Sequence, residues 1–224
     1  MISVLRSASL VLRKDLLAEW RSRVVVGQIL PFSIVLLLVF GFALDPDRQV
    51  LEAATPGLFW ITVLLVSMIA AQRSAAIEAG DGATDGLRLS GLDPAGIFIG
   101  KTLAVVVQLV LLEVVLALGV TVLFGRELGG WLLLVTATGL ATIAIAAAGT
   151  LGGTLTQGLA AGQTLLPVLV LPALVPVLLG ATQAWEAALS GQDGGWGWAG
   201  MCGVVAVLAL LLGAASYGSL LDEG

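Results

Sequence analysis

The sequence predicts an all-α integral membrane protein with six transmembrane helices, and three features of its 224 residues carry that prediction. Hydrophobic residues make up 58% of the chain and charged ones only 11%, whereas a soluble domain carries roughly 25% charged residues. Mean hydropathy is +1.07. The charges cluster in a few short segments, which leaves long apolar runs between them. Histidine is absent, and the one cysteine, Cys202, lies inside an apolar run. A water-soluble enzyme, a disulfide-stapled fold, His-dependent metal or haem ligation, and Ser-His or Cys-His catalysis are excluded together.

The helices follow from the charge-free runs, because about 20 apolar residues cross the hydrocarbon core as a helix. Residues 24–44 and 53–72 carry no charge, 102–125 is broken only by Glu113, and 194–221 is again uncharged. The run from Leu128 to Trp185 is long enough for two crossings and a turn, with Gly158 and Gly162 supplying the break. The expected spans are therefore 24–44, 56–72, 102–125, 131–152, 164–182 and 199–217, in one transmembrane domain covering 1–224. The first 20 residues are too charged for a signal peptide. At 100° per residue, Arg6, Arg13, Lys14 and Arg21 share one arc, with Leu5, Ala8, Leu12 and Leu16 nearly opposite. That pattern fits an amphipathic helix over 1–23 lying in the membrane interface, or else the ordinary basic stop before a span.

Orientation follows from Lys and Arg, since acidic residues weigh little in topology despite the net charge of −5. The N-terminal segment holds Arg6, Arg13, Lys14, Arg21 and Arg23, and the 73–101 connection holds Arg73, Arg88 and Lys101. The other side has only Arg48 and Arg126. This places both termini and residues 73–101 in the cytoplasm. It also places Trp60, Trp131, Trp185, Trp196 and Trp198 near the outer interface, where indoles prefer to sit.

Four features are candidates for function. Residues 73–101 form the one substantial polar connection, with Glu78, Asp81, Asp85, Arg88 and Asp93. Asp93-Pro94 is suited to start a helix, Asp93 as cap and Pro94 in the first turn. Leu87, Leu89, Leu92, Ile97 and Phe98 could anchor the segment in a partner's groove, or the segment is a solvated linker. Glu113 falls near the middle of the third span, where a charged carboxylate costs roughly 3 kcal/mol or more. It is either a proton relay or polar contact, or a neutral acid bonded to Gln108, Thr136, Thr138 or Thr142. The fifth span contains Pro167, Pro172 and Pro176, each lacking a backbone donor; it should be kinked or broken, as a hinge or gate or as a static bend. Ala184–Leu189 would then be a short separate interfacial or re-entrant helix. The fourth span has a small-residue face, with Gly149 and Gly153 in GxxxG spacing, for a subunit interface or internal packing.

Absences narrow the field. No GxxxxGK[ST] motif is present, so this chain does not cradle a nucleotide by the P-loop route. Nothing is basic enough for nucleic acid. Haem could be ligated only by Met68, Met201, Cys202 or Tyr217, weak candidates in a chain without histidine.

A basic N-terminal segment, six spans, an Asp-Gly-containing connection and a proline-rich fifth span together resemble the haem exporter protein B family, the membrane permease subunit of the cytochrome c maturation ABC transporter. The resemblance runs over essentially the whole chain. It is carried by Thr55–Trp60 (TPGLFW), Glu78–Leu92, Ile97–Lys101 (IFIGK) and above all Leu165–Thr182. It implies an ABC-2 type permease, no cofactor bound by this chain, and a homodimer embedded in membrane lipid of the inner membrane. It also implies a separate ABC ATP-binding subunit, a haem-handling membrane subunit, and haem as the cargo. Residues 73–101 match the family's ATPase-coupling segment, carried over at Glu78, Asp81, Gly82, Leu87 and Asp93. Here Ala83, Thr84, Asp85 and Gly86 follow the Asp-Gly pair, where a more regular helix is expected; Glu113 is not carried over. The alternatives are an ABC-2 permease for a lipid, glycan or drug, and a non-transporting membrane scaffold.

Overall fold

The structure, a computed structural model, describes residues 3–23, 25–44, 48–80, 91–124, 129–156 and 162–223, and the regular structure among them is helical. The elements are α1 (Val4–Ser22), a π-turn (Val25–Ile29) running into α2 (Leu30–Leu44), α3 (Arg48–Gly80), α4 (Pro94–Phe124), α5 (Trp131–Leu155), α6 (Gly162–Ser190) and α7 (Gly195–Glu223). Six segments are long and apolar enough to cross a membrane: Gly27–Leu44, Gln49–Ala71, Pro94–Val122, Trp131–Leu155, Leu165–Ser190 and Gly195–Leu220. The chain is a multi-pass membrane protein built as the six-span reading expects.

Helix α5 sits at the centre. Its Ala137, Ala141, Ala144, Ile145, Ala146 and Ala147 are all buried, and small side chains let neighbours approach it from several sides. A Cβ on Gly152 would collide with Val170 of α6, while Gly149 faces Ala71 of α3. The small-residue face is thus packed inside the chain. Against α5 lies an aromatic cluster in which Phe59 stacks on Trp185 at 4.0 Å and Trp60 meets both edge-on. By contrast α2, α4, α6 and α7 expose long apolar stripes, for example Phe32, Val35, Val39 and Phe42 on α2, as helices facing lipid do.

Two expectations change. The polar connection does not begin as a loop: beyond the apolar segment Gln49–Ala71, α3 continues as a helix to Gly80; Ala75, Ala76, Glu78 and Ala79 are good helix formers and no breaker lies between Arg73 and Gly80. The fifth span is not broken. Pro167, Pro172 and Pro176 all lie inside one continuous α6, and Ala184–Leu189 belongs to it. The reason is packing: Leu166, Val170, Leu174, Val177, Ala181, Ala184 and Trp185 form a buried stripe at helical spacing along its length, which holds the axis together across the missing donors. Of the five tryptophans expected near the outer interface, Trp131, Trp196 and Trp198 are exposed, while Trp60 and Trp185 are buried in the core, 1% and 3% exposed. Their partners across α3 and α6 bury them.

Candidate functional site

The 73–101 connection is the first candidate. Glu78 lies on the last turns of α3, whereas Asp81, Gly82 and Leu87, like Asp85, Arg88 and Leu89, fall outside the described residues. Where the chain is described again, Asp93 does what its position before Pro94 calls for. Its Oδ1 accepts the backbone N–H of Gly96 at 3.1 Å, satisfying one of the free donors at the start of α4. Ile97 and Phe98 are 1% and 0% exposed and belong to a cluster with Val11 and Tyr217, against which Leu92 also packs. Ile97 and Phe98 are therefore used within the chain and are not anchors for a partner's groove, while Leu92 stays partly exposed.

The same turns of α4 hold a contact that reading of the sequence missed. Helix α1 does not simply lie in an interface; it lies against α4, with Ser7, Ala8 and Val11 buried. The backbone N–H of Asp93 donates to Ser7 Oγ at 3.1 Å. A Cβ on Gly96 would come 2.5 Å from Ser7 Cβ, and one on Gly100 would come 2.6 Å from the Ala8 carbonyl oxygen. Half a turn away, Phe98 lies over Gly213 of α7 and against Tyr217, ring centroids 5.7 Å apart. The signal was present: Gly96 and Gly100 are themselves a GxxxG pair, and Ser7 and Ala8 are small. The outward side of α1 keeps Arg6, Arg13 and Arg21 exposed together with Leu5 and Trp20, a mix suited to a headgroup region.

Glu113 is the second candidate. It is 4% exposed on α4, and the Thr142 hydroxyl of α5 donates to it, with Oγ1 2.7 Å from Oε1 and 2.9 Å from Oε2. That hydroxyl is also 2.7 Å from the Thr138 carbonyl oxygen. A hydroxyl has one proton to give, so a neutral acid would let both contacts be hydrogen bonds. One turn on, Trp185 Nε1 of α6 donates to Thr138 Oγ1 at 2.9 Å. Of the sequence candidates for a Glu113 partner, Thr142 is the one the fold supplies, and the polar side chains link α4, α5 and α6 in order.

Of the four residues able to ligate haem, Met201 and Cys202 both reach the position of Gly180 on α6. Met68 and the buried Cys202 belong to the main core, where Cys202 Sγ donates to the Val177 carbonyl at 3.5 Å, and Tyr217 belongs to the separate cluster around Phe98. Among the described residues, no group of three or more His, Cys, Asp or Glu could hold a metal ion. An open cavity of about 320 Å³ lies at the other end of the bundle from Phe98, lined by Trp131, Leu133, Ala187, Gln192 and Trp196.

A six-span helical bundle of this kind is, in class, a multi-pass integral membrane protein. The family described as CcmB protein matches residues 6–221, and the chain belongs to it. Its relatives include proteins named heme exporter protein B. That of Haemophilus influenzae is 28% identical over 182 residues, covering 80% of both chains. That of Rhodobacter capsulatus is 30% identical over 169 residues, 75% of this chain and 78% of the relative. That of Escherichia coli K12 is 30% identical over 178 residues, 80% of this chain and 81% of the relative.

Proposed function

We propose that this chain is the membrane permease subunit of an ABC transporter that handles haem for cytochrome c maturation. The observation that carries this is the CcmB match from residue 6 to 221, laid over a bundle with six membrane-crossing helices. Lacking a P-loop, the chain takes its driving force from a separate ATP-binding subunit. That subunit docks on the connection between α3 and α4, with Glu78, Asp81, Gly82, Leu87 and Asp93 as the coupling residues. Lacking histidine, it leaves axial haem ligation to a neighbouring haem-handling membrane subunit. Two copies work side by side in the inner membrane, both termini and the coupling connection facing the cytoplasm. In α6 the three prolines leave backbone carbonyls without helical donors, and this helix serves as the yielding gate.

The test is purification of the complex in mild detergent. The chain should bring down an ATPase, and Glu78→Lys combined with Asp81→Lys should weaken that association. Undiminished copurification of the ATPase with the doubly reversed chain would refute the coupling assignment.

A further inference from the structure

The cavity of about 320 Å³ lies where α5 begins, α6 ends and α7 begins. Close backbone contacts set its walls. A Cβ on Gly130, which has φ 56°, would come 2.8 Å from the Ala188 carbonyl oxygen, and one on Gly195 would collide with Leu133. Gly191, with φ 68°, ends α6 in the left-handed conformation that glycine allows, and the Gln192 N–H returns to the Ala187 carbonyl oxygen at 3.0 Å. That turn continues through Asp193, which stands in sequence between Gln192 and Trp196, both in the cavity wall.

The chemistry of this end is one-sided. Trp131 and Trp196 line the cavity with 70% and 54% of their surface exposed. Asp193 and, near the end of α6, Glu186 are exposed, and neither carboxylate has a hydrogen bond or ion pair among the described residues. No Lys or Arg occurs from Glu127 to Gly224, and Arg126, the last basic residue of the chain, lies outside the described residues. Open indole faces near unneutralised carboxylates attract a cation, and without a base they disfavour a phosphate or carboxylate ligand. Trp and Arg are also the residues that most often carry the energy of protein–protein contacts, and such residues pair across the interface.

We infer that this cavity docks a basic segment of another subunit, with an Arg or Lys side chain between Trp131 and Trp196 and with Asp193 and Glu186 as its counter-charges. The inference rests on the proposed function only in taking this chain to work within a complex of different subunits. A phospholipid headgroup is the poorer occupant, because it brings a phosphate to a rim without a base. A second copy of the chain is poorer still: the two-fold arrangement of a membrane dimer would set one acidic end beside another.

The experiment uses the assembled complex in its membrane, with photo-reactive p-benzoylphenylalanine in place of Gln192. Irradiation should join the chain to another subunit, and mass spectrometry should place the cross-link beside an Arg or Lys of that subunit. Asp193→Lys combined with Glu186→Lys should lower the cross-linked fraction by about tenfold, because two attractions become repulsions. Changing the identified basic residue to Glu should restore it. Trp131→Ala alone should cost about threefold, the worth of one exposed cation–π contact. Cross-linking to lipid alone, to a second copy of this chain, or to a segment without Arg or Lys overturns the inference. A yield untouched by the double charge reversal overturns it as well. The two readings fail separately. Absence of an ATPase from the purified parent complex refutes the proposed function, whereas absence of the cross-link from a complex that retains its ATPase refutes the docking site.

Discussion

Thr142→Val tests the polar link between α4 and α5 with little change of shape. Valine keeps the branched outline of threonine and removes the hydroxyl that lies 2.7 and 2.9 Å from the Glu113 carboxyl oxygens. Interhelical hydrogen bonds in membrane proteins average about 0.6 kcal/mol and reach about 1.7, but stranding a buried polar partner costs about 1–3 kcal/mol. Glu113 is 4% exposed and Thr142 is its hydrogen-bond partner among the described residues. The upper part of both ranges therefore applies, and Thr142→Val should destabilise the bundle by about 2 kcal/mol. Glu113→Gln keeps an acceptor for Thr142 and should stay within about 0.5 kcal/mol of the parent on the same reasoning. Glu113→Leu removes the group that Thr142→Val strands, so the double variant should cost less than the sum of the singles by about 1 kcal/mol. Reversible unfolding in mixed detergent micelles, followed by tryptophan fluorescence, gives all four free energies. Additive single effects, or a Thr142→Val protein as stable as the parent, would refute the link.

Two further predictions concern the aromatic cluster and the topology. Trp60 Nε1 is buried with no hydrogen-bond partner among the described residues, whereas Trp185 Nε1 donates to Thr138. Trp185→Phe should therefore destabilise the bundle by about 1 kcal/mol more than Trp60→Phe, and equal or reversed losses in the same unfolding assay would contradict the hydrogen-bond assignment. A reporter fused after Gly224 should register as cytoplasmic and one inserted at Gly191 as external; the opposite pattern would invert the proposed orientation.

How far the sequence reached depends on the kind of signal each element leaves. Spans were legible because the bilayer demands an apolar stretch of fixed length, and Gly27–Leu44 through Gly195–Leu220 meet that demand. Helix ends were less so. Arg73–Gly80 looks like the start of a polar loop, yet nothing in AAIEAG stops a helix, and lipid no longer selects the residues there. The cap at Asp93 was readable because its chemistry is local, spanning three residues. The three prolines misled in the other direction: they announce three missing hydrogen bonds, but the packing stripe that keeps α6 continuous is a property of its neighbours. Trp60 and Trp185 follow the same rule. Their burial against Phe59 is set by neighbouring helices, and an interfacial preference read from one helix does not reveal it. The α1–α4 contact joins residues 86 positions apart through Ser7 and Asp93, so only the GxxxG spacing hinted at it, and that spacing does not name its partner.

Helix α4 carries both the features that spacing revealed and those it hid. Near Asp93 it is fixed to α1 and α7 by contacts that no small displacement can preserve, and near its middle it is tied to α5 by Glu113 and Thr142. Helix α5 is in turn joined to α6 by the hydrogen bond from Trp185 to Thr138, and by Gly152 accepting Val170. Among the described residues, a polar route thus runs through the interior from α4 to α5 to α6. It ends on the helix whose three prolines make it the least costly to bend. Loosening Thr142 should lower the stability of the bundle as a whole, because the link lies inside the packing that holds α4, α5 and α6 together.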